Sequence, residues 1–297
     1  MTAPEQPVRY RSPDEDSARW LGFPYRPGDI VISSRSKTGT TWVQMICALL
    51  VFQTPDLPAP LSQLSPWLDW LIVPREEVFS QLAAQPHRRF IKTHSPLDGL
   101  PLDDRATYIV TGRHPLDAAV SLFHQGENID RARLRSLTGQ PPRSGERPPP
   151  PPLHDRLVAW VDGDDRPEDY LDSLPGFMWH LSDAWRRRAE PNVVMVHYAD
   201  LERDLDAEMR RLAAVLGIEV AEKTWSSLVN AARFEQMRAR ADQLAPDPAG
   251  IFKDKGRFFR RGGSGAGPEV LSAEELAHYY DRTAKMAEAD MLAWLHR

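Results

Sequence analysis

A lysine, a glycine and three threonines lie together directly after a short apolar run. The stretch 30–42 has the sequence IVISSRSKTGTTW. Its residues with binding chemistry are Lys37, Thr38, Gly39, Thr40 and Thr41. If a helix begins at the threonines, its first amides are free to bind an anion, the lysine adds a positive charge and the glycine lets the backbone approach closely. The stretch therefore indicates a phosphate or sulfate site; a solvated turn with a helix cap is the alternative when it is taken alone.

Two further groups of polar residues also follow apolar runs. Lys92 and His94 lie in the sequence FIKTHSP, and Arg113 ends the run YIVTGR with Ser121 two helical turns later. The ordinary pKa of histidine lies near neutrality, which suits a general base, and arginine is suited to bidentate phosphate binding. Taken alone, a histidine after a strand is more often structural, so the argument depends on the three groups together.

A basic run with several glycines lies near the end of the chain. Residues 253–267 have the sequence KDKGRFFRRGGSGAG, in which Arg260 and Arg261 precede Gly262. By itself the run indicates a solvated basic loop. Beside an anion-binding strand end, it becomes a candidate for a second phosphate site.

The sequence does not favour a bound metal or a serine-hydrolase triad. His94, His114 and His124 are at least ten residues apart, and neither HExxH nor GxSxG occurs. We therefore expect no metal. The single cysteine, Cys47, lies in an apolar run and rules out a disulfide framework within the chain, so we expect a cytoplasmic location.

Composition limits the partners. The formal net charge is −5 and the sequence pI is about 6.0, so bulk charge does not support nucleic-acid binding. The N-terminus has no apolar leader, and the longest apolar run, 45–52, is too short to span a bilayer. Peripheral contact with lipid stays open.

Strands and helices alternate along the chain and must position these groups. Apolar runs at 29–34, 88–94, 106–113 and 192–198 predict strands, with helical patterns between them. This alternation predicts an α/β fold with a central parallel sheet flanked by helices, which binds ligands at the carboxyl ends of its strands. We expect a single P-loop-like domain over 1–297, with a loosely held arm at 1–19 and a proline-dense surface loop at 138–152.

Five motifs occur in the order found in one enzyme family. They are PGDIVISSRSKTGTTW, FIKTHSP, YIVTGRHPLDAAVSLFHQ, VVMVHYADLERDLDAEMRRLAAVLG and FRRGG. From about residue 20 to its end the chain resembles sulfotransferases that use 3′-phosphoadenosine 5′-phosphosulfate (PAPS), and more closely those that sulfate aryl and alcohol groups in the cytosol. The resemblance implies their P-loop-like fold, PAPS as donor with 3′-phosphoadenosine 5′-phosphate (PAP) as product, no metal, and a small hydroxyl acceptor.

The resemblance also implies roles for individual residues. The loop for the 5′-phosphosulfate comprises Lys37, Thr38, Gly39, Thr40 and Thr41. The 3′-phosphate is bound by Arg113, Ser121, Arg260, Arg261 and Gly262. The adenine lies against Trp42, Tyr198 and Phe234. His94 is the catalytic base, and Lys92 helps to stabilise the sulfuryl group in transfer. Lys37 would neutralise the charge that grows on the bridging oxygen of the departing phosphate. One departure is that the family motif resembles RKGxxGDWK, whereas Arg261 here replaces the lysine and the aspartate, tryptophan and final lysine are missing.

The acceptor is the least defined part. Aromatic residues that could line its pocket are Phe23, Trp67, Trp70, Phe79, Phe123 and Trp160. Each taken singly is more safely assigned to the core, but together they suggest a hydrophobic acceptor such as a phenol, alcohol, sterol, lipid or glycolipid. The sequence leaves the oligomeric state open.

Two other functions are considered. A small-molecule P-loop kinase or NTPase would need the pattern GxxxxGK[ST] and a magnesium carboxylate, yet Gly39 follows Lys37 instead of preceding it. A nucleotide-binding protein without catalysis is the second alternative, and the joint presence of Lys37, His94, Arg113 and Ser121 argues against it.

Overall fold

A parallel four-stranded sheet lies at the centre of the part of the chain that the structure describes. The computed structural model describes residues 6–141 and 149–297. The strands are β1 (Ile30–Ser34), β2 (Phe90–Thr93), β3 (Thr107–Gly112) and β4 (Val193–His197), in the order β2–β1–β3–β4. All adjacent pairs are parallel. The predicted α/β fold with a parallel sheet is therefore confirmed.

Helices fill the connections between strands and the C-terminal half. Their bounds are α1 (Thr40–Phe52), α2 (Leu61–Leu64), α3 (Arg75–Ala84), α4 (Pro115–Asn128), α5 (Arg131–Leu137), α6 (Leu153–Asp162), α7 (Leu174–Arg186), α8 (Tyr198–Arg203), α9 (Leu205–Leu216), α10 (Glu222–Ala231), α11 (Phe234–Ala239), α12 (Ala241–Leu244), α13 (Ala273–Thr283) and α14 (Ala289–Leu295). None of these helices has the length and apolar character needed to cross a membrane. The capping box of Ser272 and Glu275 starts α13, as their spacing predicts.

The sheet is buried on both faces, which explains the apolar runs in its strands. Successive side chains of a strand point to opposite faces. Accordingly, Ile30 and Ile32 belong to a core cluster with α1, α9 and α10, whereas Val31 belongs to another with α4, α7 and α14. The two clusters hold the strand ends in a fixed relation.

The register brings the carboxyl ends of three strands to the same edge. Ser33 pairs with Thr93 on β2, and Ser34 pairs with Thr111 on β3. The chain leaving β1, β2 and β3 therefore carries the three predicted groups of polar residues to neighbouring positions.

The N-terminal segment differs from the expected loose arm. From Val8 to Trp20 the chain packs onto the domain: the Tyr10 hydroxyl donates to Asp98, and the amide of Asp16 donates to the carbonyl of Asp69 at 2.9 Å. Asp16 also pairs with Arg9 and caps the short helical turn Ser17–Trp20. The polar composition predicts a solvated arm, but Tyr10 and Asp16 have hydrogen-bond partners on the domain.

The proline-dense segment is only partly covered. Residues 142–148 lie outside the described residues, so the expected surface loop stays a prediction there. Residues 149–152 are exposed and lead into α6.

Candidate active site

A cavity of about 260 Å³ opens at the carboxyl edge of the sheet. Most of the predicted site residues line it: Lys37, Gly39, Thr40, Thr41, Trp42, Trp67, Trp70, Lys92, His94, Arg113, Ser121, Tyr198, Phe234, Arg260, Arg261 and Gly262. One end of the cavity, which we name the anion end, is formed by residues 37–41, Arg113 and residues 260–262. The other, which we name the aromatic end, is formed by Trp67, Trp70 and the side chains around them.

The turn between β1 and α1 is shaped for close approach to a ligand. Lys37 and Gly39 have positive φ values of 69° and 105°. A Cβ atom on Gly39 would lie 3.1 Å from the Tyr198 ring. Gly39 provides no side-chain cap for α1, so the first amides of this helix keep their hydrogen-bonding capacity for an anion.

The threonine hydroxyls of this turn differ in their availability. The Thr38 hydroxyl donates to the carbonyl of Arg35 at 2.8 Å and lies 2.6 Å from the Thr111 hydroxyl. This buried side chain braces the turn, and of the predicted loop residues it alone is missing from the cavity wall. The Thr40 hydroxyl contacts Ser34 at 2.7 Å, while Thr41 faces the cavity.

Lys37 is half-buried and lies among other positive charges. Its Nζ donates to Oε1 of Gln125 at 3.1 Å and lies 4.0 Å from the centre of the Phe258 ring. Burial, reinforced by the nearby charges of Arg113, Lys92 and Arg260, lowers the pKa of Lys37 to about 7. An anion would reverse this shift, because it favours the charged amine.

Lys92 and His94 face the cavity from the end of β2. The Lys92 Nζ lies 3.6 Å from the centre of the Trp67 ring, and burial lowers its pKa to about 8. His94 Nδ1 donates to the carbonyl of Ser34, which leaves Nε2 without a proton in the neutral ring. Burial and the charges of Lys92 and Arg35 hold the pKa of His94 well below its usual value. The ring is therefore a neutral base at physiological pH.

Arg113 connects the β1 turn to the C-terminal loop. Its guanidinium donates to the carbonyl of Lys37 at 3.1 Å and to that of Gly263 at 2.7 Å, and it lies 4.2 Å from the centre of the Tyr198 ring. Its Nε is buried and has no hydrogen-bond partner among the described residues. Arg113 thus fixes the relative position of two loops and keeps a donor to spare.

The C-terminal loop adds positive charge to the anion end. Asp117 anchors it by accepting hydrogen bonds from the amides of Gly265 and Gly267, at 2.8 and 2.6 Å. Partial burial lowers the pKa of Arg260, and the charges of Arg261 and Arg113 add to this effect. Such mutual repulsion between arginines is relieved when an anion binds between them.

Three aromatic side chains of the anion end, Trp42, Tyr198 and Phe234, form a wall that we name the aromatic wall. Trp42 donates its indole N–H to the carbonyl of Ala232 at 2.8 Å, and its ring meets Tyr198 edge to face at 5.2 Å. Gly262 has a φ of 63°, and a Cβ there would lie 2.5 Å from the Phe234 ring. The wall can therefore accept a flat ring beside a phosphate.

The aromatic end combines stacked tryptophans with carboxylates. The Trp67 and Trp70 rings are stacked, with centres 5.2 Å apart and planes 5° apart. Their apolar neighbours in the cavity wall are Ile129, Leu134, Ile251 and Phe252, and the acidic ones are Asp14, Glu15 and Asp172. Burial raises the pKa of Glu15 to about 8 against the opposing charge of Arg35.

Four predicted aromatic residues do not reach the cavity. Phe23 and Phe79 pack against each other at 5.4 Å in the core cluster on the Val31 face. Phe123 packs under Arg156, and the Trp160 indole donates to the carbonyl of Asp172 at 2.7 Å. Aromatic character alone did not distinguish core from cavity.

Several residues of the cavity wall escaped the sequence reasoning. Gln125 lies one helical turn after Ser121 on α4, which was a usable signal. Phe258 lies just before Arg260 and Arg261 in the basic run 253–267, so the sequence indicated the run as a candidate site but not this side chain. Glu15 lies in the segment expected to be loose, and no sequence signal indicated its place. Among the described residues, no group of three or more histidines, cysteines or acids is placed to hold a metal ion.

The family model and the curated relatives that match this chain indicate the same enzyme family. A family model for the sulfotransferase domain matches residues 27–287. A glycolipid sulfotransferase of Mycobacterium bovis (strain BCG / Pasteur 1173P2) is 44% identical over 307 residues, covering 97% of this chain and 94% of that protein. A glycolipid sulfotransferase of Mycobacterium tuberculosis (strain ATCC 25177 / H37Ra) is 43% identical over 306 residues, with the same coverage of 97% and 94%.

Solved structures share the fold. A retinol dehydratase in complex with androsterone and inactive cofactor PAP matches with a TM-score of 0.68 and 22% identity, over 92% of this chain and 85% of that one. Mouse sulfotransferase SULT7A1 complexed with PAP matches with a TM-score of 0.67 and 22% identity, over 94% and 90% of the two chains. At this level of identity the likeness concerns the fold.

Proposed function

Because the chain belongs to the sulfotransferase family, we propose that it transfers the sulfuryl group of PAPS to a hydroxyl group of a glycolipid or another hydrophobic acceptor. The enzyme class follows from the family and from the mycobacterial relatives. The observation that carries the proposal is the placement of Lys37, Lys92 and His94 in one cavity, between an anion-binding end and an aromatic end.

The anion end fits PAPS in charge and in shape. The uncapped N-terminus of α1 and Lys37 suit the 5′-phosphosulfate, and Arg113, Ser121 and residues 260–262 suit the 3′-phosphate. The spare Nε donor of Arg113 supports the same assignment. Trp42, Tyr198 and Phe234 would hold the adenine. When bound, PAPS supplies an activated sulfuryl group whose sulfur–oxygen bond to phosphate is exchanged for a bond to the acceptor oxygen.

Residues of the chain would accept the proton and stabilise the charge that develops during the transfer. His94 Nε2 accepts the proton of the acceptor hydroxyl, and the hydrogen bond from Nδ1 to the Ser34 carbonyl fixes the ring and its tautomer. Lys37 and the first amides of α1 stabilise negative charge at the phosphate end, and Lys92 stabilises it at the acceptor side. These roles of single residues are proposals that mutation can test.

The aromatic end favours an acceptor with both apolar and polyhydroxyl parts. The faces of stacked tryptophans pack well against apolar ring faces or alkyl chains. Carboxyl groups accept hydrogen bonds, and a protonated one, which the raised pKa of Glu15 favours, also donates one; both suit the hydroxyl groups of a sugar. This combination, together with the glycolipid sulfotransferases among the relatives, leads us to place glycolipids first among the acceptors.

An acceptor screen tests the proposal directly. Purified protein with PAPS is incubated separately with a phenol, a fatty alcohol, a sterol and a glycolipid, and products are identified by mass spectrometry as sulfate adducts. We expect PAP formation with the largest kcat/KM for the glycolipid. A Trp70→Ala variant should lose acceptor affinity by about tenfold while PAP affinity is kept, with the exposed Trp179→Ala as control.

The alternatives give different outcomes in the same experiment. PAP binding without transfer to any acceptor would indicate a non-catalytic nucleotide-binding protein, and a magnesium-dependent phosphoryl transfer would indicate a kinase. We predict that EDTA leaves the rate unchanged, since lysines and amides supply the positive charge. The cytoplasmic location stays a prediction.

A further inference from the structure

Asp69 occupies a central place beneath the reacting groups although it does not line the cavity. It lies between Trp67 and Trp70 and is 1% exposed. Its Oδ2 accepts hydrogen bonds from the Thr93 hydroxyl at 2.9 Å, the His94 amide at 2.9 Å, the Ser95 amide at 3.1 Å and the Ser95 hydroxyl at 2.9 Å. One carboxylate oxygen therefore binds the three residues that follow Lys92.

The segment around Asp69 also fixes Lys92. The Lys92 amide donates to the carbonyl of Pro66 at 3.0 Å, and the Leu68 amide donates to the carbonyl of Lys92 at 3.2 Å. The Trp67 ring lies under the Lys92 ammonium and against the edge of the His94 imidazole, whose centre is 4.6 Å away. Residues 66–70 thus hold the end of β2 in position through hydrogen bonds and ring contacts.

The second oxygen of Asp69 carries charge without a hydrogen bond. Oδ1 is buried and has no hydrogen-bond partner among the described residues. Its negative charge acts on the surrounding cations: Asp69 raises the pKa of Lys92 and that of Arg35, against their burial. A neutral amide could accept the same hydrogen bonds but would place no negative charge beside Lys92 and Arg35.

We propose that Asp69 is a positioning residue of the active site, which holds His94 and the end of β2 in place beneath the cavity. The assignment rests on the proposed function and adds to it a residue that touches neither substrate. Two effects follow. The hydrogen bonds to Oδ2 set the orientation of His94, and the charge of the carboxylate sets the pH range over which Lys92 remains an ammonium.

The pH effect has a definite sign. The titratable groups that face Lys92 are Glu15 and Asp69, whose ionised forms favour its protonation, and Arg35, Lys37 and His94, whose protonated forms oppose it. The raised pKa of Glu15, about 8, means that its contribution grows as pH rises. Burial keeps the pKa of Lys92 at about 8, so removal of the Asp69 charge lowers it further. Activity that needs the ammonium would then be lost at lower pH.

The test compares three variants with the wild-type enzyme. Asp69→Asn keeps the shape and removes the charge. Thr93→Val keeps the charge and removes the Thr93 hydroxyl, which donates to Asp69 and accepts from the Ser95 amide at 3.0 Å. Asp183→Asn is the matched control. Asp183 is 3% exposed and accepts a hydrogen bond from the Asp98 amide at 2.8 Å, away from the cavity. The measurements are kcat, KM for PAPS, PAP affinity and the pH profile of kcat.

We expect Asp69→Asn to lower kcat by about tenfold to a hundredfold, because an amide oxygen holds the His94 segment with weaker hydrogen bonds than a carboxylate does and leaves Lys92 less protonated. PAP affinity should stay within about threefold of wild type. The alkaline limb of its profile should move to lower pH. Thr93→Val should lower kcat by about threefold with an unmoved alkaline limb, and Asp183→Asn should change neither.

Three results would overturn the assignment. The first is an Asp69→Asn enzyme whose kcat matches that of Asp183→Asn, and the second is a loss of kcat with an unmoved alkaline limb. The third, decisive if Asp69→Asn does not fold, is wild-type kcat in Thr93→Val. A wild-type protein that transfers no sulfuryl group to any acceptor removes the proposed function, and the role of Asp69 with it.

Discussion

The two ends of the cavity are built in different ways. The anion end consists of backbone amides and basic side chains on two loops, which Arg113 ties together through the carbonyls of Lys37 and Gly263. The aromatic end consists of side chains from segments that are far apart in sequence, among them Glu15, Trp67 and Phe252. Short sequence motifs can therefore predict the residues of the anion end but not those of the aromatic end.

The electrostatics of the two ends also differ. At the anion end, burial lowers the pKa values of Lys37 and Arg260, and repulsion from the neighbouring lysine and arginine charges lowers them further. At the aromatic end, the buried acid Glu15 has its pKa raised to about 8 and lies 3.8 Å from Arg35. This contrast supports the proposal of a highly charged ligand at the first end and a neutral one with hydroxyl groups at the second. Variants should therefore separate nucleotide binding from acceptor chemistry.

His94→Ala should show the largest effect and the cleanest separation. Loss of a general base costs about 10²- to 10⁴-fold in turnover. PAP affinity should stay unchanged, because His94 contacts Ser34 and Trp67 and not the anion end. Initial rates and calorimetry with PAP measure the two quantities, with the exposed His154→Ala as control. Near-normal turnover would remove His94 from the mechanism.

Lys37→Met should come next and affect both quantities. Removing one preorganised donor to developing charge costs about 10²- to 10³-fold in kcat. Unlike His94→Ala, this variant should also weaken PAP binding, since Lys37 belongs to the anion end. The exposed Lys223→Met serves as control. A change in KM for PAPS alone would assign Lys37 to binding and contradict a role in the chemical step.

The sequence predicted the anion end better than the aromatic end for a physical reason. Lys37, Gly39 and the α1 threonines are contiguous, and their function depends on a local turn and a helix N-terminus. Parallel strands require their carboxyl ends to meet, so His94 and Arg113 could be placed beside that turn from the strand pattern alone. The same local reasoning gave the strands within one or two residues.

The remaining assignments depend on tertiary contacts, which the periodicity of the sequence does not predict. Phe23 and Trp70 are both aromatic residues in irregular segments, yet one packs in the core beside Phe79 and the other lines the cavity. Glu15 reaches the cavity because residues 8–20 fold back onto the domain, and their polar sequence indicated a loose arm instead. Thr38 was expected to contact the ligand, but its hydroxyl is used inside the turn.

Gly262→Ala tests how closely the aromatic wall of the anion end must pack. An alanine Cβ would lie 2.5 Å from the Phe234 ring, at a φ of 63° that alanine disfavours. We expect PAP affinity to fall by about tenfold, a value consistent with one strained contact. Gly265→Ala is the matched control in the same loop, because its φ is 91° and no atom lies within 4 Å of the added Cβ.

The comparison of these two glycine variants isolates the contact with Phe234 from backbone strain, which both share. Equal losses of PAP affinity would show that strain in the loop, and not packing of the wall, limits binding. A loss in kcat without a loss in affinity would place Gly262 outside the nucleotide site. Titration with PAP at constant ionic strength measures both variants.

The smallest expected effect is an uptake of up to about one proton on PAP binding. Lys37 has a pKa of about 7 in the free protein, so at pH 8 it is mostly neutral. The phosphates of PAP favour its charged form and raise this pKa, so binding takes up a proton and weakens as pH rises, by up to about tenfold per pH unit. Above pH 7.5 the phosphates are ionised, since their second pKa is about 6.

Calorimetry of PAP binding in HEPES and in Tris at pH 8 measures this proton, because the two buffers differ in ionisation enthalpy. The uptake should vanish in Lys37→Met and persist in Lys223→Met. It should also persist in His94→Ala, since the histidine is already neutral in the free protein. Proton uptake that persists in Lys37→Met would indicate Lys92, because its pKa of about 8 is close to the pH of the experiment. In that case, charge at the anion end would also change the protonation of a residue beside Trp67.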